Sequence, residues 1–291
     1  MRLATYASVA VALTLIGLKL GAFALTGSIA MLASLVDSGL DLIASLVTLF
    51  AVRHALVPAD AEHRFGHGKA EALAGMTQAI IITGSALFIL FEAISHIVEP
   101  EPVQHSTTGM VVIGISIALT LALVLFQGFV IRRTGSLAIS ADELHYQGDL
   151  LTNAGVVVAL VLSGVYGVTL ADPLIGLAIA GYIAWAAFKI LRGSWDQLMD
   201  REMSDADRAR IAETALAHPA VLALHDLRTR QSGQASFIQF HLELDGAMTL
   251  MAAHRISDEV ERAIQALYPE AEVFIHQDPA GLERLTRLER S

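Results

Sequence analysis

Six apolar stretches dominate the first two thirds of this chain, near residues 4–25, 29–54, 70–97, 107–131, 139–165 and 173–192. Each is close to the roughly 20 residues a helix needs to cross a hydrocarbon core about 30 Å thick. In that medium every backbone N–H and C=O must be satisfied within the protein, so such stretches fold as helices packed side by side. The connections between them are short and polar, among them "TGS", "VPADAEHRFGHGK" and "RRTGS". The first stretch runs on to about Leu25 with no clear cleavage region, so it reads as a span and not as a removed signal.

After residue 203 the character changes. Residues 1–203 hold 25 Asp, Glu, Lys and Arg, whereas the 88 residues after them hold 23. The expected organisation is a membrane domain over 1–203, a soluble domain over 204–280 and a C-terminal tail over 281–291. The soluble part reads as helix (205–217), strand (221–230), strand (235–244), helix (249–268) and strand (271–277). The expected fold class is thus an α-helical membrane protein of six transmembrane helices followed by a small α+β domain of αββαβ order. Within "SFIQFHLEL", Ile238, Phe240, Leu242 and Leu244 alternate with Gln239, His241 and Glu243, which puts His241 on the polar face.

Charge and cysteine usage exclude several classes. The net charge is −10 and no basic patch stands out, so nucleic acid is not an expected partner. Cysteine is absent, which rules out disulfides and thiolate metal sites; any metal must be held by nitrogen and oxygen. Lys and Arg avoid the first, third and fifth connections and gather at the second, the fourth and the end of the sixth span. By the positive-inside rule both termini and the soluble domain are expected in the cytoplasm. Lys19 and Glu92 lie inside spans, where they either snorkel to the far interface or face the bundle interior.

The second and fifth spans carry paired ionisable groups. In "LVDSGLDLIASL", Asp37 and Asp41 are i and i+4, which places two carboxylates on one helix face about 6 Å apart. In "SADELHYQGD", His145 and Asp149 have the same spacing. Counted inward along antiparallel spans at about 1.5 Å per residue, the two pairs reach similar depth. A single membrane Asp is satisfied by a packing hydrogen bond or a proton relay. Three carboxylates and an imidazole at one level would instead repel one another and resist desolvation, and a divalent cation relieves both problems. Four N/O ligands in a tetrahedron suit Zn²⁺. Asn153, one turn beyond Asp149, either steadies a ligand or packs between helices.

The motifs "LVDSGLD", "HRFGHGKAE", "DELHYQGD" and "LHDLRTRQSG…FIQFHLEL…IHQDP", in that order from about residue 3 to 279, resemble the cation diffusion facilitator family. The likeness is to its bacterial zinc and ferrous-iron efflux branch. It implies a homodimeric antiporter in the bacterial inner membrane, surrounded by lipid, that exports a divalent metal ion from the cytoplasm in exchange for protons. Zn²⁺ is the expected cargo, with cadmium, ferrous iron and cobalt as further candidates, and protons are the counter-ion. The transport site then maps onto Asp37, Asp41, His145 and Asp149. Relatives with a fourth Asp in place of the His tend toward manganese, so His145 favours zinc or cadmium.

The same resemblance implies a loop metal site at Asp60, His63 and His67, which spacing alone leaves open as a solvated polar loop. It implies a binuclear metal site in the soluble domain at His225, His241, His254, His276 and Asp278, with Gln277 as a weaker candidate. It also implies that Lys69 and Asp200 interlock the two protomers. His54, His96, His105 and His218 match no motif and read as surface or hydrogen-bonded residues. Two other readings stay open: a passive divalent-metal channel, which needs weaker and more numerous sites, and a membrane-anchored metal sensor, which needs no intramembrane ligands. Since no nucleophile or phosphate-binding motif stands out, an enzyme is not expected.

Overall fold

The computed structural model describes residues 1–27, 29–98, 107–166 and 170–281. Glu99, Glu101 and His105 of the third connection, and residues 282–291 of the expected tail, lie outside the described residues. The chain forms two compact units, one running Met1–Trp195 and one beginning at Asp196.

The first unit is built of six long helices: α1 Arg2–Thr26, α2 Ile29–Ala55, α3 Lys69–Val98, α4 Thr107–Thr134, α5 Leu137–Tyr166 and α6 Ala171–Leu198. Five of them, α1 to α4 and α6, contain segments long and apolar enough to cross a membrane. The remaining helix, α5, is 30 residues long and carries Asp142, Glu143, His145 and Asp149 in its first half. Their surfaces invert the pattern of a soluble protein. Phe50, Phe88, Phe91 and Leu125 point outward, while Ala4, Ala12, Ala44, Ala79 and Ala86 are buried between helices. Small interior residues let helices approach closely where no hydrophobic effect drives them together.

Helix α5 packs against α2, α3 and α4. Leu144 on α5 meets Ile82 and Ala86 of α3 and Ile183 and Ala187 of α6 in one buried cluster. Two glycines set how near α6 comes: a Cβ at Gly155 would stand 2.9 Å from Ile175 and Ile179, and one at Gly148 would stand 3.2 Å from Ile183.

Polar side chains also fix α5 among its neighbours. Asp142 is 1% exposed. Its Oδ2 accepts from Gln127 Nε2 of α4 at 2.7 Å and its Oδ1 from Ser45 Oγ of α2 at 3.2 Å. Gln127 Nε2 also donates to Ser8 Oγ of α1, and the Tyr146 hydroxyl donates to the Ser8 carbonyl. Four helices thus share one hydrogen-bonded knot a single turn from His145, and partners of this kind are what permit a carboxylate so far from water.

The second unit has α7 Asp205–Leu216, β1 Ala223–Ser232, β2 Ala235–Leu244, α8 Leu250–Leu267 and β3 Ala271–Pro279. The strands form one sheet in the order β1-β2-β3, with β1 and β2 antiparallel and β2 and β3 parallel. The αββαβ order read from the sequence is the order observed. Ile238, Phe240, Leu242 and Leu244 form one buried face and pack with Ile211 and Ala215 of α7 and Val260 and Ile264 of α8. On α8 the buried positions Ala253, Ser257, Val260 and Ile264 follow the helical period.

Helix α7 starts on a serine N-cap. Ser204 Oγ accepts from the Asp207 backbone N–H and donates to Asp207 Oδ2, while the Tyr268 hydroxyl donates to Asp207 Oδ1. These two hydroxyls hold the Asp207 carboxyl below the usual carboxylate range. A depressed folded-state pKa contributes stability above the unfolded value and loses it as pH falls through the folded one. For a fragment spanning residues 196–291, Ser204→Ala is expected to cost about 1 kcal/mol in urea unfolding at neutral pH. Asp207→Asn is expected to flatten the acid limb of stability against pH.

Candidate metal sites

In the first unit, Asp41 of α2 and His145 and Asp149 of α5 converge, with one donor atom from each lying within 4.8 Å of the others. His145 Nε2 and Asp41 Oδ1 are 2.8 Å apart and share a proton. Asp41 is 4% exposed. Zn–N and Zn–O bonds are about 2.0–2.2 Å long, so three donors this close need only small movements to enclose one ion. Asp37, one turn before Asp41, is exposed in the protomer and is not among the three that converge. It lines the same cavity of about 490 Å³ as the other three.

Asn153 lines that cavity too, as does Lys19. Of the two readings open for Lys19, the bundle interior is the one observed. Its Nζ donates to the Ser34 carbonyl at 3.1 Å and to Ser38 Oγ at 2.6 Å, tying α1 to α2 one turn from Asp37 and Asp41. A lysine amid the apolar run of α1 was the signal for it, though not for its partner.

The loop between α2 and α3 brings Asp60, His63 and His67 together. Asp60 Oδ1 accepts the backbone N–H groups of Glu62 and His63 at 2.9 and 2.6 Å. The bond from His63, foremost, holds this carboxyl below its ordinary range. Gly66 turns the chain at φ 75°, in the left-handed region where a side chain is disfavoured. His67 is buried, its ring edge-on to that of His54 at 4.5 Å. Its Nδ1 lies 3.3 Å from the Val57 carbonyl. A carbonyl only accepts, so Nδ1 donates in this contact, and Nε2, 3.4 Å from Asp60 Oδ2, is the nitrogen that faces the other two candidate ligands.

In the second unit the sheet register makes the site. His225, His241 and His276 are cross-strand partners on β1, β2 and β3 and form one row across the sheet. Neighbouring rings in the row are 5.0 and 4.5 Å apart. Asp278, two residues beyond His276, serves all three: Oδ2 is 2.8 Å from His241 Nδ1 and 3.4 Å from His225 Nε2, and Oδ1 is 3.1 Å from His276 Nε2. Burial pushes the Asp278 carboxyl up, but the His241 hydrogen bond and the adjoining imidazoles outweigh it and leave it below its ordinary value. His225, His241 and Asp278 converge closely enough to hold an ion.

His254 stands apart from this group. It sits on α8, largely exposed, with Nδ1 3.6 Å from Asp258. Gln277 donates to Ser257 Oγ at 2.8 Å. Asp226 is an addition that the strand pattern did not single out. It occupies the irregular step between His225 and Arg228 at φ 49°, is clamped by the Arg228 guanidinium, and brings Oδ2 to 3.9 Å from His241 Nε2. Lys69 opens α3 in the first unit. Asp200 belongs to the second, where its Oδ1 accepts from Arg230 Nη1 at 3.3 Å.

Two family models account for nearly the whole chain. The cation efflux transmembrane domain matches residues 5–199, and the cytoplasmic domain of cation efflux proteins matches residues 203–280. The chain belongs to the cation efflux family. The resemblance read from the sequence motifs is therefore borne out, and this cation efflux protein is a multi-pass membrane transporter of divalent cations and not an enzyme.

Its relatives include the cation-efflux pump FieF of Shewanella oneidensis, 49% identical over 287 residues, covering 99% of this chain and 97% of that protein. The protein of the same name from Pectobacterium carotovorum is 47% identical over 279 residues, covering 96% and 93%. Among solved structures, the Zn form of CzrB is 33% identical and covers 30% of this chain and 99% of its own, with a TM-score of 0.28.

The central position of His241 in the histidine row gives a direct test. In zinc titrations of a fragment spanning residues 196–291, His241→Ala is expected to weaken binding by tenfold or more. His254→Ala, on an exposed helix face away from the row, is expected to change it less than threefold.

Proposed function

We propose that this cation efflux protein is a zinc/proton antiporter, with Asp37, Asp41, His145 and Asp149 as its transport site. The observation that carries the reading is the convergence of Asp41, His145 and Asp149 on a cavity that Asp37 also lines. The donor set supports zinc: one imidazole and three carboxylates make a four-ligand N/O cage with no sulfur. Cadmium, ferrous iron and cobalt fit the same donors.

Coupling to protons follows from ligand chemistry. His145 Nε2 has one lone pair, which binds either a proton shared with Asp41 or the metal ion. Metal loading therefore displaces a proton, and protonation from the other side displaces the metal. A side chain whose one free lone pair takes either a proton or a metal ion suits such an exchange across a cell membrane. In an alternating-access cycle the cage opens first to one face and then to the other. Lys and Arg placement supports a bacterial inner-membrane orientation with both termini and the second unit in the cytoplasm.

Further metal ions at Asp60, His63 and His67, and at His225, His241, His276 and Asp278, would neutralise acidic surfaces. In the second unit this favours approach of two protomers, so cytoplasmic zinc stabilises a homodimer, which Lys69 and Asp200 interlock. The domain division follows suit: a transport domain over 1–203, a metal-sensing domain over 204–280, and a tail over 281–291.

Flux measurements test the cage. Protein reconstituted in vesicles is expected to move Zn²⁺ against its gradient when a pH difference is imposed, and Asp149→Ala is expected to abolish that movement. Gradient-driven flux surviving in the variant would remove Asp149 from the site. His145→Asp is expected to raise Mn²⁺ transport relative to Zn²⁺ in competition assays, since an all-oxygen set suits the harder ion.

A further inference from the structure

His96 matched no motif, and Glu92 was a charge without a function. Together with Asp172 they form a chain at the end of α3 opposite the Asp60 loop. Glu92 and His96 are one turn apart on α3, and Asp172 lies in the first turn of α6. His96 Nε2 is 3.4 Å from Glu92 Oε1, and His96 Nδ1 is 3.5 Å from Asp172 Oδ2. The imidazole therefore bridges two carboxylates through its opposite nitrogens. An ion held by both carboxylates and the ring would need them gathered around one nitrogen. A proton passed through the ring needs them at opposite ends, as they are here.

The three residues line a cavity of about 270 Å³ that adjoins the cavity of the metal cage. Phe88, Ile89 and Thr152 line both cavities, and Thr152 is one turn from Asp149 on α5. The wall that α5 gives the smaller cavity, at Thr152, Gly155 and Val156, carries no titratable group. Glu92 and His96 from α3 and Asp172 from α6 are the titratable groups among the described lining residues.

We propose that Glu92, His96 and Asp172 form a proton relay that connects the far side of the membrane to the metal cage. The idea rests on the antiporter reading. A proton arriving through Asp172 adds to Nδ1 of a neutral ring that carries hydrogen on Nε2. The resulting imidazolium gives its Nε2 proton to the Glu92 carboxylate, so one proton has crossed the ring and the ring is left as the Nδ1–H tautomer. Glu92 then delivers it past Thr152 toward Asp149. Water in the cavity resets the ring by taking the Nδ1 hydrogen and supplying one to Nε2, with no net transfer between the carboxylates. The three are positioning and proton-carrying groups that never touch the metal ion.

The test uses full-length protein in vesicles, with Zn²⁺ movement followed while the pH on the far side is varied. His96→Gln and Asp172→Asn keep the size and hydrogen bonding of the originals but do not carry protons. Each is expected to slow proton-driven zinc movement by at least about tenfold and to flatten its dependence on far-side pH. Equilibrium zinc binding should stay within twofold of the unaltered protein. Free imidazole added to His96→Ala should restore part of the lost rate, which a purely structural role would not allow. An unaltered pH profile in His96→Gln, or absence of rescue in His96→Ala, would overturn the relay. Asp149→Ala run alongside separates the two ideas: if that variant keeps its flux, the cage assignment fails, and if it loses flux while His96→Gln behaves normally, only the relay fails.

Discussion

Placing ionisable groups among lipid-facing helices costs several kcal/mol per group unless each finds a partner, and the first unit is organised around meeting that demand. Asp41, His145 and Asp149 face one another across α2 and α5. Asp142 is enclosed by Gln127 and Ser45, and Lys19 is held by Ser34 and Ser38. The polar seam that results runs through the centre of a bundle whose exterior is phenylalanine and leucine. Hydrogen bonds among these side chains offset much of the cost of burying them.

Helix α5 carries most of this seam, and its packing shows how a site can be firm on one side and adjustable on the other. Toward α1, α2 and α4 it is tied by the Asp142, Tyr146, Gln127 and Ser8 hydrogen bonds. Toward α6 it meets isoleucine side chains over Gly148 and Gly155. One hydrogen bond, from the exposed Tyr182 hydroxyl to Gln147 Oε1, crosses this face, against the several buried bonds of the knot, so sliding here costs less than breaking the knot. A transporter that alternates its access needs a difference of this kind between neighbouring contacts.

The second unit solves its own version of the problem by register. A row of three imidazoles on adjacent strands would repel on protonation, and Asp278 reaches all of them from the end of β3. The opposite face of the same strand, Ile238, Phe240, Leu242 and Leu244, is sealed beneath α7 and α8. Alternation along β2 thus assigns one face to the core and the other to the histidine row.

The sequence alone determined a good deal, because the demands involved are local. Span length against bilayer thickness gave the six helices, the period of two in "SFIQFHLEL" gave the buried face of β2, and i, i+4 spacing paired the carboxylate and imidazole groups. Other features depended on contacts between residues far apart in the chain. The alignment of His225, His241 and His276 rests on strand pairing that no single strand encodes. The gathering of Asp41 with His145 and Asp149 while Asp37 stands aside, the separation of His254 from the row, and the bridging of Glu92 and Asp172 by His96 rest on how helices rotate and close against one another. Periodicity tells which side of an element is apolar; only the packed partners decide which polar atoms on the other side come within bonding distance.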